Sequence, residues 1–118
     1  MGVLRISVVL AKCALGGAAY GIRFEQTGPR EYLATWSFVV HRAEGRSVDH
    51  IHELLGNIGI LSGFRGCPHC GASSFFKCGC GKVACWNGSA PEVTCPWCER
   101  RGKLEGRIDA LCGGPDRW

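Results

Sequence analysis

Seven of the nine cysteines in this chain of 118 residues lie in one stretch, from Cys67 to Cys98. Within it, Cys67-Pro-His-Cys70 and Cys95-Pro-Trp-Cys98 repeat one form, in which two thiols stand three positions apart on a turn. Backbone N–H groups of such a turn can bond the sulfurs and offset the charge of two thiolates beside one cation. Two such knuckles, separated by a short stretch of chain, are typical of a zinc ribbon.

Three further thiols lie between the two knuckles, so a single four-thiolate site leaves ligands over and two Zn²⁺ ions are favoured over one. The candidate zinc ligands are Cys67, Cys70, Cys78, Cys80, Cys85, Cys95 and Cys98. In the plain ribbon that we favour, the two matching knuckles surround one ion, and the three thiols between them hold a second ion with a fourth ligand such as Cys112 or His69. In a cross-braced alternative, Cys78 and Cys80 join the last knuckle and Cys85 joins the first.

The cysteine pattern predicts structural metal sites rather than catalytic ones. A four-thiolate zinc site is closed, whereas a catalytic zinc keeps a position for water and typically uses His or carboxylate ligands. The sequence has no HExxH motif, and no HxE precedes CPWC as a zinc deaminase requires. The βαβ context of a thioredoxin-like C-x-x-C is also missing, which disfavours a thiol redox protein. We therefore expect a protein that is not an enzyme.

Cysteine usage and the N-terminal residues predict a cytoplasmic protein. Secreted disulfide frameworks usually contain an even number of cysteines, and this chain has nine. The apolar run after Arg5 resembles a signal peptide, but Lys12 interrupts it, and no stretch is long and apolar enough to span a membrane. We interpret the run as a first β-strand, in which Cys13 is a small buried hydrophobe rather than a reactive thiol.

The elements that position the thiols are predicted to be mostly strands. Residues 3–12 and a hairpin over residues 20–40, with turn residues at 27–30, would form an antiparallel unit. Helical spacing of apolar residues predicts one short helix between a cap at Ser47 and Gly56. The expected fold is thus a small mostly-β protein with one short helix. A β-rich subdomain over residues 1–63 would precede a cysteine-rich, zinc-ribbon-like lobe over residues 64–118.

The order CPHCGASSFFKCGCGKVACWNG followed by VTCPWC, with CALGGAAYGIRFEQ upstream, resembles the TerY-C metal-binding domain. That module follows a von Willebrand A domain in TerY-type tellurite-resistance and stress proteins of bacteria. The resemblance implies a cytoplasmic metal-binding adaptor in a phosphorylation-based stress system, with the seven cysteines as ligands. A von Willebrand A-domain protein and an associated kinase or phosphatase would be its partners. This chain carries no von Willebrand A domain, so we expect the partner domain to be separate or excised.

The sequence favours a zinc-binding adaptor that docks a protein. Aromatic residues dominate the hot spots of protein interfaces, and Trp36, Trp86 and Trp97 are the candidates here. A nucleic-acid-binding zinc ribbon is the alternative, because basic residues follow the last knuckle. Acidic residues are interleaved with them, and a formal net charge of +4 is only mildly basic.

Overall fold

A computed structural model of the chain describes residues 5–40, 52–104, 108 and 110–113, and consists there of strands joined by turns. The strands are β1 (Arg5–Lys12), β2 (Ala19–Gly28), β3 (Glu31–Val39), β4 (His52–Leu55), β5 (Asn57–Ile60), β6 (Ser74–Lys77), β7 (Val83–Trp86), β8 (Glu92–Thr94), β9 (Arg101–Lys103) and β10 (Ala110–Gly113). In these residues there is no helix with the length and apolar content needed to cross a bilayer. The mostly-β class predicted from the sequence is confirmed.

Six of the strands form one sheet, in the order β5-β3-β2-β1-β7-β6. Strands β1, β2 and β3 pair antiparallel, as the first strand and the hairpin predicted from the sequence require. Alternate residues of β2 face inward, and Tyr20, Ile22 and Phe24 are each at most 1% exposed. This alternation is what a half-buried strand needs, and it gives the sheet one apolar face.

The predicted short helix is wrong where the structure describes it. Residues 52–55 form β4, which pairs antiparallel with β10, and Leu54 lies opposite Leu111. Both leucines are 1% exposed, whereas Leu55 is 44% exposed. Buried and exposed residues therefore alternate as in a strand, and a short apolar run does not distinguish this pattern from a helical turn. The predicted N-terminal part, residues 47–51, lies outside the described residues.

The β6–β7 hairpin connects the cysteine-rich stretch to the N-terminal strands. Strand β7 runs parallel to β1 and pairs with it at two positions, Ala11 with Val83 and Lys12 with Ala84. This short pairing, called the β1–β7 seam below, joins the hairpin to the N-terminal strands. The six-stranded sheet therefore contains strands from residues 1–63 and from residues 64–118. The two faces of the hairpin differ: Phe75 joins the main core, while Phe76 joins a second cluster around Cys95. The hairpin thus separates two hydrophobic clusters, each of which contains cysteines.

Candidate metal centres

Eight cysteine sulfurs are gathered in two groups of four, and within each group all sulfurs lie within 4.8 Å of one another. The first group, which we call the inner tetrad, consists of Cys13, Cys67, Cys70 and Cys85. The second group, the outer tetrad, consists of Cys78, Cys80, Cys95 and Cys98. All seven cysteines predicted as ligands are therefore placed in a tetrad, and an eighth joins them.

The distances between sulfurs fit a tetrahedral metal ion and not disulfides. The Sγ atoms of Cys78 and Cys98 are 3.6 Å apart, and those of Cys80 and Cys95 are 3.8 Å apart. A zinc–sulfur bond of about 2.3 Å places the sulfurs of a tetrahedron about 3.8 Å from one another. A disulfide needs about 2.05 Å, and the eight sulfurs of the tetrads are unbridged. Both tetrads can hold a metal ion.

Three turns with the same hydrogen bonds present most of the ligands. In each turn the N–H of the first cysteine donates to the carbonyl five residues later, at 2.8 to 2.9 Å, and the N–H four residues later donates back at 2.7 to 2.8 Å. The turns span residues 13–18, 67–72 and 95–100. The fifth residue has a positive φ in each case, 76° at Gly17, 80° at Gly71 and 65° at Glu99. The chain therefore builds one kind of metal knuckle three times.

The first of these turns carries a single cysteine, which sequence reasoning missed as a ligand. Gly16 occupies the position that Cys70 and Cys98 occupy in the other two turns. The missing ligand comes instead from Cys85 on β7, whose sulfur accepts a hydrogen bond from the N–H of Ala14 at 3.1 Å. The spacing from Cys13 to Gly17 equals that from Cys67 to Gly71, and this is the signal that could have revealed the turn. Cys13 is buried as predicted, but it lies among ligands.

The favoured plain-ribbon pairing is wrong, and the cross-braced alternative describes the two groups. The first and last knuckles belong to different tetrads because the β6–β7 hairpin lies between them. Cys85 points to the inner face of this hairpin, while Cys78 and Cys80 occupy its turn, where the N–H of Cys78 donates to the carbonyl of Lys82 at 2.8 Å. The two C-P-x-C knuckles therefore belong to different tetrads, although their sequences are similar.

Neither predicted fourth ligand is needed to complete a tetrad. The Nε2–H of His69 donates to the backbone carbonyl of Ala19 at 2.8 Å, so this nitrogen is directed at β2. The ring of His69 also makes an edge contact with that of Tyr20, at a centroid distance of 6.3 Å. The side chain of Cys112 lies outside the described part of the structure. His69 therefore holds the 67–72 turn against β2.

The tetrads differ in their access to solvent. Three inner cysteines, Cys13, Cys67 and Cys85, are 2 to 3% exposed, and the fourth, Cys70, is exposed. In the outer tetrad only Cys95 is buried, at 1%. An ion in the outer tetrad would therefore be more accessible to competing chelators.

Local electrostatics control the protonation of the thiols. Burial raises the pKa of Cys67 and of Cys85 above the ordinary range. In the outer tetrad, the backbone N–H of Arg100 lowers the pKa of Cys98 to about 7. Burial also raises the pKa of Cys95 in the outer tetrad. Since metal ligands must be thiolates, an ion that enters either tetrad must displace protons from buried thiols.

Comparison with known families gives a match over nearly the whole chain. Residues 4–111 match the family model described as the TerY-C metal binding domain. The chain belongs to the TerY-C family. Both tetrads of this TerY-C domain, from Cys13 to Cys98, lie inside the matched residues, which confirms the resemblance noted in the sequence. No curated protein and no solved structure matches the chain.

Proposed function

We propose that this TerY-C domain binds two Zn²⁺ ions and acts as a non-enzymatic adaptor that docks a protein partner. The observation that supports this most is the composition of the two tetrads, in which four sulfurs would fill the coordination of one tetrahedral ion. No ligand position is then left for water or a substrate. Zinc would act here by holding the turns and the β6–β7 hairpin in place, so metal binding is coupled to folding.

The partner we propose is a von Willebrand A-domain protein of a TerY-type system, together with its associated kinase or phosphatase. The resemblance noted in the sequence supports this proposal, since it implies proteins in which such a module follows a von Willebrand A domain, and the family match covers the TerY-C domain over residues 4–111. The system would be a bacterial, cytoplasmic phosphorylation pathway that responds to stress or tellurite.

A partly apolar surface on β3 and at the end of β5 supports a docking role. Trp36 is 50% exposed and Leu61 is 44% exposed, and the strands β3 and β5, which carry Trp36 and end next to Leu61, are neighbours. The guanidinium of Arg65 lies over one face of the Trp36 ring, 5.0 Å from its centre, and half of the Trp36 side chain remains exposed. By contrast, the indole N–H groups of Trp86 and Trp97 donate to carbonyls of the chain itself. Of the three tryptophans, Trp36 is therefore the best hot-spot candidate.

Nucleic-acid binding is the second candidate, favoured by the cations around the outer tetrad. A cavity of about 220 Å³ beside it is lined by Lys77, Arg100, Arg101 and Lys103, with no carboxylate among the described lining residues. However, Arg101 pairs with Glu92 at 2.9 Å. Eight thiolates and two divalent ions would also lower the formal net charge from +4 to about zero. This loss of charge weakens the attraction for phosphates and favours the adaptor.

The test is a titration of the zinc-loaded chain with a purified von Willebrand A domain of a TerY-type protein, by calorimetry. We expect saturable binding that weakens at least about tenfold in Trp36→Ala, because exposed tryptophans dominate interface energies. Leu15→Ala, at a residue 84% exposed in the 13–18 turn, is the matched control and should bind normally. Failure to bind the von Willebrand A domain contradicts the adaptor role.

A parallel titration with generic DNA and RNA across a salt series tests the second candidate. The adaptor predicts weak binding, whereas a nucleic-acid ribbon predicts tight binding with a steep dependence on salt. Alkylation separates both from a thiol redox protein. Zinc-held thiolates resist alkylation until a chelator is added, whereas a redox thiol reacts at once.

A further inference from the structure

Trp97 connects the outer tetrad to the strands that carry the inner tetrad. It lies in the knuckle between Cys95 and Cys98 and is half-buried. Its indole N–H donates to the carbonyl of Val83 on β7 at 2.7 Å. The Nζ atoms of Lys12 and Lys82 lie 4.5 and 5.1 Å from the centre of its ring. One side chain of the outer knuckle therefore contacts both β7 and the last residue of β1.

These contacts fall at the place where the inner tetrad depends on strand pairing. Lys12 directly precedes Cys13, and Val83 stands two residues before Cys85. The parallel pairing that joins β1 to β7 has only two positions, and Lys12 and Val83 each belong to one of them. A seam this short gives little resistance to separation of the two strands. Trp97 adds a hydrogen bond on one side of it and a cation–π contact on the other.

We propose that Trp97 is a positioning residue that couples the two metal centres. An ion in the outer tetrad fixes the 95–100 turn, and this holds Trp97 across the β1–β7 seam. The seam in turn keeps the sulfurs of Cys13 and Cys85 close together, so that the inner tetrad is preorganised for its own ion. Because coupling between binding equilibria is reciprocal, an ion in the inner tetrad must strengthen binding at the outer tetrad by the same factor.

The experiment measures zinc occupancy at each tetrad separately. The full chain is equilibrated in buffers of defined free zinc, alkylated briefly, and digested for mass spectrometry. For each tetrad, the midpoint is the free zinc concentration at which its cysteines are half protected from alkylation. In Cys80→Ser combined with Cys98→Ser, which disables the outer tetrad, we expect the inner midpoint to move to about tenfold higher free zinc. This lies within the range of about 5 to 150-fold that is usual for coupled sites.

The role of Trp97 is tested by disabling the outer tetrad in two further variants, Trp97→Phe and Trp86→Phe, and measuring the shift of the inner midpoint in each. In Trp97→Phe, disabling the outer tetrad should shift the inner midpoint by clearly less than about tenfold, because the hydrogen bond to Val83 is lost while an aromatic ring remains for the cation–π contact. Trp86→Phe is the matched control. Trp86 also packs in the outer cluster, but its N–H donates at 2.8 Å to Ala90 in its own loop, so the tenfold shift should persist. Equal shifts in all backgrounds, or no shift in the parent chain, overturn the proposal.

Two further measurements keep the proposal testable if Trp97→Phe binds no zinc. Lys12→Met removes the cation–π contact from β1, keeps that of Lys82 and the hydrogen bond to Val83, and should reduce the tenfold shift; an unchanged shift counts against the proposal. Cys67→Ser with Cys70→Ser disables the inner tetrad and should weaken the outer tetrad by the same factor. The inference rests on the proposed zinc occupancy, which the titration of the parent chain tests by itself. A parent chain that binds two ions independently refutes the coupling but leaves the proposed function standing.

Discussion

Replacement of Cys13 by serine tests the ligand that the sequence did not reveal. The structure places the Cys13 sulfur within 4.8 Å of the other three inner sulfurs, and the residue is 2% exposed. A serine hydroxyl does not replace a thiolate, and water has little access to the vacated position, so the ion would keep three sulfurs. Loss of an outer hydrogen-bond partner of a ligand already costs about 10 to 100-fold in metal affinity. We therefore expect Cys13→Ser to weaken the inner site by more than about 100-fold, or about 2.8 kcal/mol.

The assay is the zinc-buffered alkylation described above, with the midpoint of the inner tetrad as the readout. Leu15→Ala is the control, since Leu15 lies in the same turn and is 84% exposed, so that its removal should leave the midpoint unchanged. A thermal melt at saturating zinc checks that both variants fold. If Cys13→Ser binds zinc at the inner tetrad as tightly as Leu15→Ala, Cys13 is not a ligand and the assignment of the inner tetrad fails.

Three other changes test neighbouring parts of the account. Gly66→Ala should prevent zinc binding at the inner tetrad. Gly66 has a φ of 76°, and an added Cβ would lie 2.1 Å from the carbonyl oxygen of Ala72 in the adjoining turn. Normal zinc content in this variant would contradict the prediction. His69→Gln should keep two zinc ions per chain with a small loss of stability, since His69 bonds the carbonyl of Ala19 instead of a metal; loss of one ion on elemental analysis would make it a ligand. A chromophoric chelator should remove the outer ion first, because three of the four outer cysteines are at least partly exposed and only one inner cysteine is. Prior release of the inner ion would show that burial does not control exchange.

Much of the metal chemistry could be predicted because it depends on local spacing. A C-P-x-C turn brings two thiols together within four residues, and no distant contact is needed to recognise Cys67, Cys70, Cys95 and Cys98 as ligands. The same holds for the hairpin of β2 and β3, whose alternating residues and turn specify it locally. Features that depend on a few neighbouring residues can therefore be predicted without knowledge of the tertiary structure.

The pairing of the ligands depends on contacts between distant residues, which local spacing does not contain. Cys13 reaches Cys85 only because β1 and β7 pair across about 70 residues of chain. The predicted helix failed for the same reason, since β4 exists through its pairing with β10. The two C-P-x-C knuckles are alike in sequence, but they lie on opposite sides of the β6–β7 hairpin. The complete sheet determines which side each knuckle occupies, and local spacing does not contain this information.

The central claim is that eight cysteines hold two ions in separate all-sulfur sites. Zinc K-edge absorption spectroscopy of the purified chain, combined with elemental analysis, tests it most directly. The account predicts two zinc ions per chain, each with four sulfurs at about 2.3 Å and no nitrogen or oxygen neighbour. One ion per chain, or a shell that mixes nitrogen with sulfur, would contradict it.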